Sequence, residues 1–174
     1  MRKVWATVLG GTAAGLLDHM SALASLVPNG VSATHIQQYV ASGVVGPAAA
    51  FAGGWLTSAL GVCVHFSLTT LMAGTFVLAA ERFPVLLRQP WCSGPAYGVL
   101  IYFVMSYIAV PLSAAPGWKP GQGWAMVGGL LAHCFYVGLP IAFIARAFLA
   151  PRPVTLQQAA QQQIAPPGVD GVRG

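Results

Sequence analysis

Four apolar stretches, at about residues 4–27, 54–80, 91–114 and 123–149, occupy most of this 174-residue chain. At ~1.5 Å rise per residue each helix covers the ~30 Å hydrocarbon core of a bilayer with some allowance for tilt. Charged residues make up 6% of the chain, against roughly 25% in a soluble domain. Hydrophobic residues reach 56%, and the mean hydropathy is +0.71. So few charges cannot cover the surface of a water-soluble fold, so lipid is the expected solvent. The fold class is therefore an all-α, polytopic bundle of four transmembrane helices. The net charge of +5 does not point to nucleic acid, because the basic residues form no patch with interleaved aromatics.

Those basic residues set the expected orientation. Arg2 and Lys3 precede the first stretch, Arg82 and Arg88 lie in the second connection, and Arg146 and Arg152 flank the last stretch. Lys119 alone lies on the opposite side, so the positive-inside rule puts both termini in the cytoplasm. Trp5, Trp55, Trp91, Trp118 and Trp124 all fall near span ends, where indoles prefer to sit. Arg2-Lys3, the apolar run and Ser21-Ala22-Leu23-Ala24 also have the outline of a signal peptide. Asp18 and His19 would fall in its cleavage region and the apolar stretch continues to Val27, which favours a retained span.

The first connection, Pro28 to Gly53, is longer than a turn. Val31 to Val45 reads as a short interfacial helix with Ser32 as N-cap and Gly43 or Gly46 ending it. It carries His35, Gln37 and Gln38, interfacial residues or, on a sharper reading, a lid. Residues 151–174, rich in Gln and Pro, are expected to form a disordered cytoplasmic tail. Cys63, Cys92 and Cys134 show no paired spacing, and Cys63 and Cys134 read as small buried hydrophobes.

Helices in lipid associate through close packing rather than through a hydrophobic driving force. Gly11-x-x-x-Gly15 and Gly94-x-x-x-Gly98 mark places where backbones can approach, more readily within one bundle than in a dimer. Pro111 and Pro140 should bend the third and fourth spans and free carbonyls one turn earlier.

Asp18, His65 and His133 fall in the first, second and fourth stretches. Counted at ~1.5 Å per residue from the outer span ends, all three lie roughly 13–17 Å deep. Ser106 and Tyr107 in the third stretch are slightly shallower. An ionisable group in hydrocarbon costs roughly 2.5 kcal/mol or more near a helix centre, so it faces a partner or a cavity. Three readings compete. Asp18 and one histidine form a hydrogen-bonded pair that locks helix positions, with Ser106, Tyr107 or backbone carbonyls completing the network; or the layer relays protons or substrate; or His65 and His133 bind a metal or haem iron, with Asp18 as ligand or acceptor. His19, about 100° from Asp18 around the helix, is expected at a neighbouring helix edge or the headgroup region. No GxSxG, phosphate loop or HExxH occurs, so nothing points to nucleophilic or zinc-protease catalysis.

Ala14-Gly15-Leu16-Leu17-Asp18, Ile36-Gln37-Gln38, Ala41-Ser42-Gly43, His65, Pro111-Leu112-Ser113, His133 and Gly138-Leu139-Pro140-Ile141-Ala142 resemble small bacterial inner-membrane proteins of unknown function. The likeness spans about residues 10–146. Ala80-Glu81-Arg82-Phe83-Pro84 and the following span are more distantly similar to YagU-like inner-membrane proteins, a group associated with acid tolerance. The resemblance implies a bacterial inner-membrane location and brings no assigned activity. The leading expectation is thus a non-enzymatic membrane protein whose polar layer is a packing or pH-responsive network, with no cofactor. Small transport or proton relay, or a haem- or metal-binding subunit, are the alternatives. Four helices enclose little volume, so transport calls for a homo-oligomer or a membrane-complex partner.

Overall fold

Each apolar stretch forms one long helix in the computed structural model, which describes residues 1–117 and 121–151. Trp118, Lys119 and the expected tail beyond Pro151 lie outside the described residues. Helix α1 spans Arg2–Leu26 and passes through a 3-10 turn, Val27–Asn29, to Gly30 at φ 85°. Helix α2 (Ala33–Val45) is N-capped by Ser32, whose Oγ accepts the His35 N–H at 3.2 Å. It ends at Gly46, φ 79°, not at Gly43. A short helix α3 (Pro47–Ala52), opened by Pro47 at its first position, leads into α4 (Gly54–Arg82). A single turn, α5 (Val85–Arg88), then connects to α6 (Pro90–Leu112), and α7 runs over Trp124–Leu149.

Three of these helices, α4, α6 and α7, are long and apolar enough to cross a membrane, and the chain has the character of a membrane protein. The apolar stretches predict four. At 25 residues α1 has the length, but its Gly, Thr, Ser, Asp18 and His19 lower its apolar density. The outward faces of the long helices are apolar along their middles: Leu71, Leu78, Leu100, Ile108 and Phe135 are all more than half exposed. The interior is instead built from small side chains, with Ala6, Ala14, Ala73, Ala80, Ala142 and Ala145 almost fully buried around Phe76 and Ile141. The described Trp residues are exposed near helix ends, as expected of boundary indoles.

Glycines set which helices touch. An added methyl at Gly11 would collide with the Thr70 backbone, and one at Gly15 would meet the Phe66 ring at 2.8 Å, so this pair seats α1 on α4. At Gly138 a methyl would strike the Gly94 carbonyl, and at Gly98 the His133 carbonyl, so the second pair seats α6 on α7. Gly10 lies against Ala73 of α4 and Ile141 of α7, which places α1 between those two helices. Both glycine pairs are thus used inside the bundle. The α4–α6 side is wider and is spanned by a long side chain. The Tyr97 hydroxyl reaches the Met72 carbonyl at 2.7 Å and Thr75 Oγ1 at 2.6 Å.

Pro111 and Pro140 do more than bend their helices. Neither can donate a backbone hydrogen bond, and each ring crowds the carbonyl four residues before it. The chain widens to relieve this: Val110 N–H donates to the Met105 carbonyl and Leu139 N–H to the Cys134 carbonyl, five residues back in each case. The wide turns cover Met105–Ala109 and His133–Gly138. Such turns recur at functional sites.

At the other end of the bundle lie Arg2, Lys3, Arg82, Arg88 and Arg146, all the described lysines and arginines. Lys3 pairs with Glu81, and Arg146 Nη1 donates to the Arg88 carbonyl at 3.3 Å.

Replacing Gly138 with Ala should destabilise the fold by about 1–3 kcal/mol, the usual cost of overpacking. Leu100→Val on the outward face should change it by less than roughly 0.5 kcal/mol. Thermal unfolding in detergent compares the two, and equal effects would rule out the close α6–α7 seam.

Candidate functional site

The four-residue spacing that seats α1 on its neighbours also delivers its polar groups. Ala6, Gly10 and Ala14 lead by steps of four to Asp18, while Gly11 and Gly15 lead to His19. Residues so spaced share a helix face. Both polar side chains therefore point inward, on either side of the α1–α4 contact. On α4 the series Gly61, His65, Thr69 and Ala73 runs along the same seam.

Asp18, His65 and His133 line one cavity of about 60 Å³, together with Leu68, Thr69, Met72, Met105 and Val137. The depth match in the sequence corresponds to a real convergence of α1, α4 and α7, with α6 contributing Met105. Met105 and His133 are each the first residue of a wide turn, so the proline-induced widening shapes two walls of the cavity. At ~30 Å³ per molecule of liquid water, the space matches about two waters, and its carboxylate, hydroxyl and two imidazoles supply enough partners for them.

The histidines are held by backbone carbonyls, not by Asp18. His65 Nε2 lies 3.0 Å from the Gly15 carbonyl, across the α1–α4 seam. His133 Nδ1 lies 2.9 Å from the Gly129 carbonyl, one turn back in its own helix. A carbonyl only accepts, so the bonded nitrogen carries the proton in each neutral ring. The two imidazoles are thus fixed as opposite tautomers, with lone pairs on His65 Nδ1 and His133 Nε2. Among the described residues no hydrogen bond or ion pair joins the Asp18 carboxylate to either ring, in contrast to the directly bonded pair of the packing-network reading. Tyr102, nearly buried, meets the His133 ring edge-to-face at 5.5 Å and fixes its second side.

His19 joins this site. Its ring centroid lies 5.6 Å from that of His65, and its Nε2 lies 3.1 Å from Gln37 Nε2. An amide nitrogen only donates, so the His19 nitrogen facing it accepts. Gln37 Oε1 is buried and has no hydrogen-bond partner among the described residues. The 100° offset from Asp18 leaves His19 out of the layer expected from the sequence. The signal for including it is nonetheless present: continuing the Gly11–Gly15 step by four lands on His19.

The first connection packs its helix α2 against the bundle. Gln37, Gln38, Ala41 and Ser42 are buried while Val44 is exposed, so α2 wears its polar face inward. It packs on α4 at Gly61, where a methyl would collide with the Gln37 carbonyl. Gln38 Nε2 donates to the Gly54 carbonyl at 3.1 Å, and the Ala114 N–H donates to the Gly43 carbonyl at 3.1 Å. In this sense α2 is a cover strapped between α4 and the end of α6. His35 is exposed and stacks on Phe51 at 4.7 Å, away from the cavity. Ser106 is buried but does not line the cavity, and Tyr107 faces outward, half exposed, stacked on Phe103. The wide turn explains their divergence from the layer, since its extra residue rotates the side chains after Met105.

Two lone-pair nitrogens are a partial ligand set for a metal or haem iron. Among the described residues no group of three or more His, Cys, Asp or Glu side chains converges in a metal-binding arrangement. Comparison with known protein families, curated proteins and solved structures finds no match.

The tautomer assignment is directly testable. Nitrogen-15 NMR of histidine-labelled protein at alkaline pH should show the proton on Nε2 for His65 and on Nδ1 for His133. Finding the same tautomer at both would dismantle this geometry.

Proposed function

We propose that this chain is a four-span, non-enzymatic protein of a bacterial inner membrane, with both termini cytoplasmic and a protonatable Asp18/His65/His133 network at its centre. The resemblance read from the sequence carries the bacterial and inner-membrane part. The fourth span is α1. Its 25 residues extend about 37 Å, and Asp18 and His19 lie on the inward side while Leu9, Leu16, Leu17 and Met20 face outward. The gathering of the described lysines and arginines at one end supports the cytoplasmic termini.

The single observation behind the network reading is that three ionisable side chains from three helices surround a water-sized cavity without bonding directly to one another. Each histidine keeps a free lone pair, so each can take up a proton, and Asp18 supplies the compensating charge close by. Helix packing and proton occupancy are then coupled in one place, since His65 also ties α4 to α1 through the Gly15 carbonyl.

Acidification tests this. Asp18→Asn removes the counter-charge, so protonating the histidines at low pH is left uncompensated. Between pH 8 and pH 5 the variant should lose about 1 kcal/mol more stability than the native chain, roughly 2–4 °C in Tm. Parallel pH profiles would defeat the proposal. Proteoliposomes separate the network from a relay: proton flux above that of empty vesicles, abolished by Asp18→Asn and His65→Gln, would replace packing with transport.

A further inference from the structure

Next to the polar cavity lies a larger apolar space of about 280 Å³, walled by Tyr39, Val40 and Val44 of α2, Val64 of α4, and Ala109 and Val110 of α6. It shares His65, Leu68 and Met105 with the polar cavity. The two spaces therefore meet at a threshold of one imidazole, one leucine and one methionine. The groove occupies the wide α4–α6 side of the bundle, the side without a close glycine seam, and α2 covers it.

From this continuity we infer that the groove is a binding site for a lipid-borne amphiphile with a neutral hydroxyl head, specifically a quinol, whose O–H donates to His65. The volume is at the small end of ligand pockets and suits one substituted ring with the start of a tail. The lining is apolar, which fits a ligand arriving from hydrocarbon. The chemistry at the threshold selects the head. His65 Nε2 is committed to the Gly15 carbonyl, which leaves the neutral ring a free acceptor nitrogen and no free donor. The two hydroxyls of the lining are already used, Tyr39 donating to the Pro116 carbonyl at 3.5 Å and Ser113 to the Val110 carbonyl at 2.7 Å, so an ester or ketone oxygen, an acceptor too, meets no uncommitted side-chain donor among the described residues. A carboxylate or phosphate head would approach Asp18, a like charge just beyond the threshold. A cationic head would have to pass the imidazole to reach Asp18, through a space of about 60 Å³. A neutral hydroxyl satisfies all three conditions, and a quinol carries it on a ring that the apolar groove of about 280 Å³ accommodates. The inference rests on the membrane placement in the proposed function and not on the protonation response.

Titration of the full chain in detergent with a decyl-tailed benzoquinol, followed by nitrogen-15 NMR of the histidines, tests it. Saturable binding is expected to move the His65 Nδ1 resonance and leave His35 in place. Decanoic acid, decyltrimethylammonium and the corresponding quinone should bind at least tenfold more weakly. Ala109→Phe, which fills the groove, should abolish the shift without lowering Tm. His65→Phe should erase the preference for quinol over quinone while retaining weak binding of both. Equal binding of the acid or the quinone, or a shift that survives Ala109→Phe, overturns the assignment. So does a groove occupied by a second copy, read as a dimer that excludes the quinol. Release of the protein from membranes by alkaline carbonate would instead mean that the membrane reading itself has failed.

Discussion

Everything in this bundle depends on where two backbones can come within touching distance. Glycine pairs bring α1 onto α4 and α6 onto α7, and α1 lies between α4 and α7. These tight seams fix three sides of the bundle and leave the α4–α6 side wide. In an apolar solvent no hydrophobic force would close that gap, so it is filled by side chains the helices supply: Tyr97 reaching across, two methionines and a cavity. The polar groups collect where packing is loosest. A carboxylate and two imidazoles need room and partners that a seam of alanine and glycine cannot provide.

The same arrangement explains why the histidines bond to carbonyls. Close approach at Gly15 exposes its carbonyl to α4, and His65 takes it. Helix carbonyls retain a second lone pair after their own ladder bond, so such contacts leave the ladder intact. Each ring is then oriented by the scaffold and has one nitrogen left for chemistry, the condition under which a histidine can exchange a proton without losing its place. Buried next to them, Gln37 ties α2 to His19, and its own oxygen finds no partner among the described residues.

Much of this is legible in the sequence, and the failures have physical causes. The long helices appear within a few residues of their expected ends, because apolar length and Pro/Gly punctuation are one-dimensional signals. The convergence of Asp18, His65 and His133 is visible as equal depth. Their azimuth is harder to read. Depth alone puts Tyr107 inward and it points outward, while the offset from Asp18 puts His19 aside and it points in. Helix α2 reads as an interfacial helix or a lid, and it buries Gln37 and Gln38 while exposing Val44. Inside-out patterning of this kind is sensible only where the surroundings are as apolar as the core. Short α3 and α5 escape a sequence reading because a helix of one or two turns leaves almost no periodic trace.

The wide turns at Met105–Ala109 and His133–Gly138 give the two longest proline-bearing helices an unusual grammar. Each holds one residue more than an α-helical path would need, so the halves before and after it are out of phase by about 100°. Between the two prolines and the bundle centre, the chain can therefore lose a single residue at these turns and remain helical, provided the proline is also released. Elsewhere in α6 or α7 the same loss would turn an entire buried face to the outside. The cavity thus sits at the points in these helices where length is negotiable, and there a small change in the chain would redraw the site without unmaking the fold.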